Sequence, residues 1–214
     1  MTDQSVMKEH CSPRWQRRAE DRPREICAAA LDVFAEKGFA AAKLDEIARR
    51  AGVSKGTLYL YFKDKDELFR AVVRDTIGPD IDGLGSFILS SDRPFADSAR
   101  ILLQRFAEMT LKVPVGPVAK MVIGESRNFP KLAKVWHDEV VSKAIGLLVT
   151  LIEKAQNSGE VRTGDARLQA FSLMGPMMIG VLWRETLQPA GGAPIDIEAM
   201  AKQHCETILG GLLR

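Results

Sequence analysis

The 214 residues predict an all-α fold, and three observations carry the prediction. Apolar side chains recur at three- and four-residue intervals along most of the chain, and nowhere do they alternate in the manner of a strand. Gly, Pro, Ser and Asp fall between the periodic stretches, where helices start and stop. An apolar content of 46% gives such helices a core to share, in one large domain or two small ones. The pattern divides into a polar tail over 1–20, a group of short helices over 21–76, and a larger helical part over 77–214.

The tail is mixed in charge, carries Arg14, Arg17 and Arg18, and lacks periodicity, so it is expected to be flexible. A first helix is expected from Asp21-Arg22-Pro23, since proline is tolerated in a first turn. Ile26, Ala29, Ala30, Val33 and Phe34 form its apolar stripe, and Lys37-Gly38-Phe39 ends it with a cation, a potential left-handed glycine and an apolar residue. A second helix runs from Leu44 to Ala51, with Asp45 and Glu46 in its first turn and Arg49 and Arg50 outward. Gly52 supplies a turn and Val53 a buried plug. Ser54 caps a short third helix whose Leu58 and Phe62, four apart, face the core. Asp64-Lys65-Asp66-Glu67 has capping-box spacing and opens a fourth helix through Leu68, Phe69, Val72 and Val73. Gly78-Pro79 should stop or kink it. Further helices are expected over about 80–90, 94–112, 115–127, 130–157, 165–188 and 195–212, punctuated by Pro94, Pro114, Pro130, Gly159, Gly164-Asp165 and the loop from Pro189 to Pro194.

Composition removes several classes of function. The apolar runs are too short and interrupted to span a bilayer, and the first fifteen residues lack the apolar core of a secretory signal. Cys11, Cys27 and Cys205 are odd in number, widely spaced and form no CxxC, which argues against a disulfide framework or zinc site and fits a reducing cytoplasm. His10, His137 and His204 have no partners at metal-ligand spacing, so neither metal nor cofactor is expected. Net charge is +2; residues 1–76 hold 15 Lys and Arg against 13 Asp and Glu, and the remainder balances. Arginines at 14, 17, 18, 22 and 24, and lysines at 55, 63 and 65, are the local basic concentrations. By charge alone a phosphate-binding patch and an ordinary solvated surface fit equally well.

The stretch LDEIARRAGVSKGTLYLYFKDK, Leu44 to Lys65, decides the matter. Helix, Gly turn, capped helix is a helix-turn-helix, in which the second helix enters the major groove of DNA. ICAAALDVFAEKGF followed by LDEIARRAGVSKGTLYLYFKDKDELF resembles the N-terminal domain of TetR-family transcriptional regulators over about residues 22–76. The likeness rests on Phe34, Gly38, Ile47-Ala48, Ala51 to Ser54, Gly56 to Tyr59, Tyr61-Phe62, Lys65 and Leu68-Phe69. VIGESRNFPKLAKVWHDEVV and GPMMIGVLW resemble one large subset of such regulators. The resemblance implies an all-α protein that dimerises through its last two helices and binds a small molecule in its C-terminal part.

Carried onto this chain, the resemblance makes Lys55, Gly56 and Thr57 the residues that meet base edges, with Tyr59 and Leu60 beside them. Lys55 suits a guanine, Thr57 a phosphate or thymine methyl, and Gly56 lets backbone approach DNA. Tyr61, Lys63 and Lys65 match positions that grip phosphates, with Ser54 at the helix start. Two departures stand out. Relatives have a Thr/Ser pair before the second helix where this chain has Ala42-Lys43, so a cap is lost and Lys43 offers a charge instead. The Arg-rich tail is also longer; a spacer or a DNA-touching arm would explain it. Tyr59 and Tyr61 have packing as an alternative role, and Cys27 fits a small buried apolar position better than a redox sensor.

In the C-terminal part, Phe106, Met109, Met121, Trp136, His137, Phe171, Met174 and Met178 are the candidates to line an adaptable apolar pocket, ordinary core being the alternative for each. Arg127, Asn128, His137 and Arg184 are the candidate polar anchors. For a dimer seam the candidates are Met177, Val181, Trp183, Met200, Ile208, Leu209 and Leu212, with Gly175 and Gly180 permitting close helix approach. The expected function is that of a cytoplasmic regulator, a repressor that binds a palindromic operator on double-stranded DNA as a homodimer and is released by an apolar or aromatic small molecule. A helical interaction protein that kept the fold and lost sequence-specific DNA binding is the alternative. Enzymatic activity is not expected, since no nucleophile motif, HExxH or phosphate loop is present.

Overall fold

The computed structural model describes residues 14–213, with side chains from residue 21 onward. Its helices are α1 (Arg14–Ala41), α2 (Leu44–Arg50), α3 (Lys55–Tyr61), α4 (Lys65–Val72), α5 (Gly78–Leu89), α6 (Phe95–Lys112), α7 (Val115–Glu125), α8 (Pro130–Trp136), α9 (Ser142–Ser158), α10 (Ala166–Leu182) and α11 (Ile197–Leu212). No strand ladder occurs among the described residues; a single β-bridge joins Val161 to Leu213.

α1 starts at Arg14 rather than Asp21. The run RWQRRAE consists largely of good helix formers, so the helix is already under way when it reaches Pro23. The expected flexible tail is therefore helical over 14–20, and residues 1–13 lie outside the described residues. Gly38, at φ +78°, breaks the α1 geometry as its position suggested. Phe39 then folds back into a stack with Phe34, 5.5 Å between ring centroids, and Phe69 meets both rings edge-on.

Gly78-Pro79 does not end the helix. A proline ring collides with the carbonyl four residues back, and residues Val73–Ile77 relieve this by widening into a π turn, where Gly78 N–H bonds to Val73 O. The helix from Lys65 to Leu89 is thus continuous, with its widened turn across the expected boundary at 76/77. Two more π turns, His137–Val141 and Trp183–Leu187, join α8 to α9 and extend α10. Gly159, left-handed at φ +82°, stops α9.

Two buried clusters hold the chain together. One joins Ile26, Phe34, Ile47, Leu58 and Phe69 of the first four helices to Val118 and Val122 of α7 and Leu132 and Trp136 of α8. The other packs α6, α9, α10 and α11 around Leu103, Ile152, Leu173 and Cys205. The N-terminal helices therefore share their core with α7 and α8.

A polar junction sits on that shared core. The Glu125 carboxylate, at the end of α7, accepts from Phe39 N–H at 2.9 Å and Ala40 N–H at 2.8 Å. From the opposite side, Lys65 Nζ at the start of α4 donates to Phe39 O at 2.5 Å, Ala42 O at 3.0 Å and Ala40 O at 3.3 Å. The same ammonium lies 4.4 Å from the Phe39 ring centroid.

Candidate functional site: the helix-turn-helix face and an apolar cavity

The turn between α2 and α3 is built from backbone and one hydroxyl. Gly52 adopts φ +65°, a conformation that glycine takes without penalty, and Val53 N–H closes the turn onto Ala48 O at 2.9 Å. Val53 is half-buried against the core. Ser54 Oγ accepts from Thr57 N–H at 3.0 Å, capping α3, and lies 2.8 Å from Thr57 Oγ1. α2 has no such cap: Lys43 is its N-cap residue, makes no side-chain capping bond and is exposed. Exposed ion pairs brace α2 against α1 instead, Lys37 to Glu46 and Arg50 to Glu36, both at 2.6 Å. These bonds hold the Glu36 and Glu46 carboxyls below their usual range.

Leu58 and Phe62 anchor α3 in the core, leaving Ser54, Lys55, Gly56, Tyr59 and Leu60 exposed and Thr57 half-buried. Leu60 is 84% exposed, unusual for a leucine with no partner. A Cβ on Gly56 would meet only Ser54 Oγ at 3.7 Å, so nothing inside the protein demands glycine there. Lys55 does not stand alone: Asp45, in the first turn of α2, pairs with it at 2.7 Å. That hydrogen bond raises the Lys55 pKa and sets a carboxylate beside the expected base-reading lysine. Tyr61 is half-buried, its ring 6.5 Å from that of Phe62.

The two lysines expected on phosphates differ. Lys63 is exposed, and among the described residues its backbone N–H donates to Glu67 Oε2 at 2.9 Å while its ammonium has no hydrogen-bond or ion-pair partner; Asp64 Oδ1 accepts from Glu67 N–H at 2.8 Å, which caps α4 as the spacing suggested. Lys65 turns inward onto three carbonyls, and burial pushes its pKa down. Sequence reasoning missed both this and Asp45. The acidic first turn of α2 was visible, but its proximity to Lys55 depends on how the turn folds.

Behind the head lies a cavity of about 570 Å³, within the range of small-molecule sites. Of the expected lining residues, Phe106, Met109, Trp136, Met174 and Met178 meet there. Met121 does not line this cavity: it is buried in the core shared with the head. His137 is exposed with Nδ1 at 2.9 Å from Asp138, and Phe171 is exposed on α10 beside Arg167. Arg127 and Asn128 are exposed after α7, and Arg184 donates to Thr110 O at 2.9 Å and to Glu185, away from the cavity. The walls that the sequence did not point to are Ile81, Leu84 and Phe87 of α5 and Ala144, Ile145 and Leu147 of α9. Leu84 and Phe87 repeat at helical spacing, which was the available signal. Asp80, Arg105, Glu108 and Lys112 are its charged edge, with Arg105 and Glu108 paired at 3.1 Å.

The expected seam residues are mostly inside the protomer. Met177 and Val181 are fully buried, and Leu209 and Leu212 nearly so, because these faces of α10 and α11 pack on their own chain. Met200 lies against Gly180, where a Cβ would collide with its sulfur; Ile208 packs on the second core; Trp183 Nε1 donates to Ala193 O at 2.9 Å. The apolar residues that do face outward are Leu168, Phe171, Ile179 and Leu187, with Gly175 open beside them. Among the described residues no helix is long and apolar enough to cross a membrane.

A helix-turn-helix whose core continues into a cavity-bearing helical body defines a class: DNA-binding regulators with a second, ligand-sized site. The comparisons agree. Residues 26–72 match the model for bacterial regulatory proteins of the tetR family, and residues 100–209 that for the C-terminal domain of AefR-like transcriptional repressors. The chain belongs to the TetR family of transcriptional regulators. The fatty acid metabolism regulator protein of Bacillus subtilis is 26% identical over 196 residues, covering 90% of this chain and 97% of that one. A putative TetR-family regulator from Mesorhizobium loti has a similar structure, with TM-score 0.74, 25% identity and coverage of 92% and 99%. Bacillus subtilis FadR, solved in complex with stearoyl-CoA, shares the fold at TM-score 0.74 and 21% identity, with coverage of 88% and 98%.

Proposed function

We propose that this protein is a cytoplasmic repressor that binds a palindromic operator as a homodimer and is released by a small-molecule effector whose long acyl chain enters the apolar cavity. What carries the reading is one juxtaposition: α5, which walls the apolar cavity with Ile81, Leu84 and Phe87, is continuous with α4 of the head, and α7, whose first residue Val115 lines the cavity, is bonded to the head through Glu125. An occupant that changes their spacing changes the head. Lys55, Thr57, Tyr59 and Leu60 read bases; Ser54, Gly56, Tyr61, Lys43 and Lys63 meet the phosphate backbone or let it approach. Lys65 instead holds the protein's own backbone. The outward stripe Leu168, Phe171, Gly175, Ile179 on α10 is the seam, and two-fold symmetry then puts two α3 helices about 34 Å apart, one turn of DNA. The acyl chain is suggested by the apolar lining and by the name of the Bacillus relative.

The test begins with selection of a bound duplex from a random pool, followed by mobility shift against stearoyl-CoA concentration. The expected result is a palindromic consensus and release of the duplex as the thioester is added. Failure to enrich any duplex refutes the operator reading; an enriched duplex that stays bound at saturating stearoyl-CoA refutes the acyl effector.

A further inference from the structure

Residues 39–42 follow the Gly38 break in α1 and lead into α2, and they are gripped from both sides. Their N–H groups at Phe39 and Ala40 are held by the Glu125 carboxylate, their carbonyls at Phe39, Ala40 and Ala42 by the Lys65 ammonium. Glu125 is half-buried and lies 85 residues or more along the chain from its partners. Gly38 is fitted to it: the residue sits at φ +78°, and a Cβ there would run into the Glu125 carboxylate. A carboxylate accepting two backbone N–H groups makes charge-assisted bonds, about twice as strong as neutral ones, and it points where a structural cap for this bend would otherwise be missing.

The two gripping side chains come from the two helical paths that reach the cavity. α7 begins at Val115 on the cavity wall and ends at Glu125, a rise of about 15 Å at 1.5 Å per residue. α4 begins at Lys65 and runs through the π turn into α5, where Pro79, Ile81 and Leu84 line the same cavity. Any occupant that moves α7 relative to α5 moves the two sides of the grip relative to each other. The segment between them leads directly into Lys43 and α2.

We propose that Glu125 is a positioning residue for operator binding: through its two bonds to the Phe39 and Ala40 amides, α7 sets the orientation of the helix-turn-helix according to whether the cavity is filled. Glu125 itself touches no DNA. The inference rests on the reading of the cavity as an effector site, and the experiment separates the two.

The test is a cycle of Glu125→Ala and Ala144→Trp, the latter placing an indole inside the cavity as a built-in occupant. Operator affinity is measured for wild type, each single variant and the double variant, with melting temperatures as the folding control. Glu125→Ala is expected to weaken operator binding about tenfold and to raise hydrogen exchange at Phe39 and Ala40. Ala144→Trp is expected to weaken binding where Glu125 is intact and to have no further effect in the Glu125→Ala background. Equal losses in both backgrounds overturn the proposal, as does wild-type affinity with Glu125→Ala. A companion titration follows intrinsic tryptophan fluorescence, to which Trp136 in the cavity wall contributes, with stearoyl-CoA as the probe. If wild type shows no change, the acyl reading of the cavity falls while the cycle still decides on Glu125. If wild type and Glu125→Ala bind the probe alike, only wild type should lose operator affinity on adding it; equal loss in both again overturns the proposal. Glu125→Gln, keeping one acceptor oxygen, is expected to fall between the two.

Discussion

Replacing Lys65 by methionine distinguishes a lysine that holds phosphate from one that holds its own backbone. The side chain keeps its length and loses its charge and donors. In the structure Nζ makes bonds of 2.5, 3.0 and 3.3 Å to three carbonyls and a cation–π contact at 4.4 Å. Charged hydrogen bonds contribute about 1.5–3 kcal/mol each when buried; this group is half-exposed and its longest bond is weak, so about 2 kcal/mol in total is a reasonable loss after discounting for solvent. For a chain of this size that corresponds to a fall in melting temperature of about 4–8 °C. A phosphate contact has another signature, a flattening of log K against log salt by about 0.9 per contact. The expected result for Lys65→Met is therefore a lower melting temperature, weaker operator binding at every salt concentration, and an unchanged slope. Lys63→Met, at the exposed lysine nearby, is the control that should flatten the slope and leave the melting temperature alone. A flattened slope with unchanged stability in Lys65→Met would refute the inward assignment.

Asp45→Asn removes the carboxylate that pairs with Lys55 at 2.7 Å and raises its pKa; non-specific duplex affinity should rise and the salt slope steepen by about 0.9 per head, and an unaltered slope would show that the pair does not reach DNA. Ile179→Glu, on the outward stripe of α10, should weaken self-association by about a hundredfold or more, since each copy brings one buried charge; an undisturbed dimer in sedimentation would move the seam elsewhere. Burial, with Asp75 adding to it, raises the Cys27 thiol to about 12, so at pH 8 its thiolate fraction is about 10⁻⁴. Alkylation followed by mass spectrometry should find Cys27 unlabelled from pH 7 to 9 in the native protein and labelled on unfolding; labelling that rises through pH 8.5 would contradict the burial.

Local chemistry explains what the sequence revealed. The Ser54 cap, the Gly52 turn and the Asp64–Glu67 cap each depend on residues within five positions, so pattern reading located them. Phe106, Met109, Trp136, Met174 and Met178 were recognisable as pocket candidates because they are bulky, apolar and adaptable. The same traits describe Met121 and Met177, which the packing buries in core instead; residue type does not say which side of a helix meets a void. The carbonyl partners of Lys65 and the amide partners of Glu125 could not be read from the sequence because they lie 23 to 86 residues away and are backbone atoms, which carry no signature in side-chain spacing. Four of the seam candidates, Met177, Val181, Leu209 and Leu212, lie on the inner faces of α10 and α11, because apolar residues on a helix signal burial without naming the partner.

The shared core sets a demand on any effector. Head and body are joined by Phe34, Phe69, Val118, Val122 and Leu132 in one cluster, so the head cannot swing as a free unit; helices must slip past each other between two packed arrangements. Moving a population from 99:1 to 1:99 takes about 5.5 kcal/mol of differential binding. An uncharged chain in an apolar cavity supplies about 0.8 kcal/mol per buried methylene, so about seven methylenes must be buried in the released state and not in the DNA-bound state. Shared between the two cavities of a homodimer, that is three to four per site. Acyl-CoA thioesters shorter than this should leave the operator bound at saturation, and longer ones should release it progressively until the cavity is full. Measured as operator affinity at saturating thioester against chain length, the expected plot is flat, then falling, then flat again. A four-carbon thioester that released DNA as fully as an eighteen-carbon one would mean that the headgroup, acting at the Arg105 and Lys112 edge, supplies the switching energy in place of the chain.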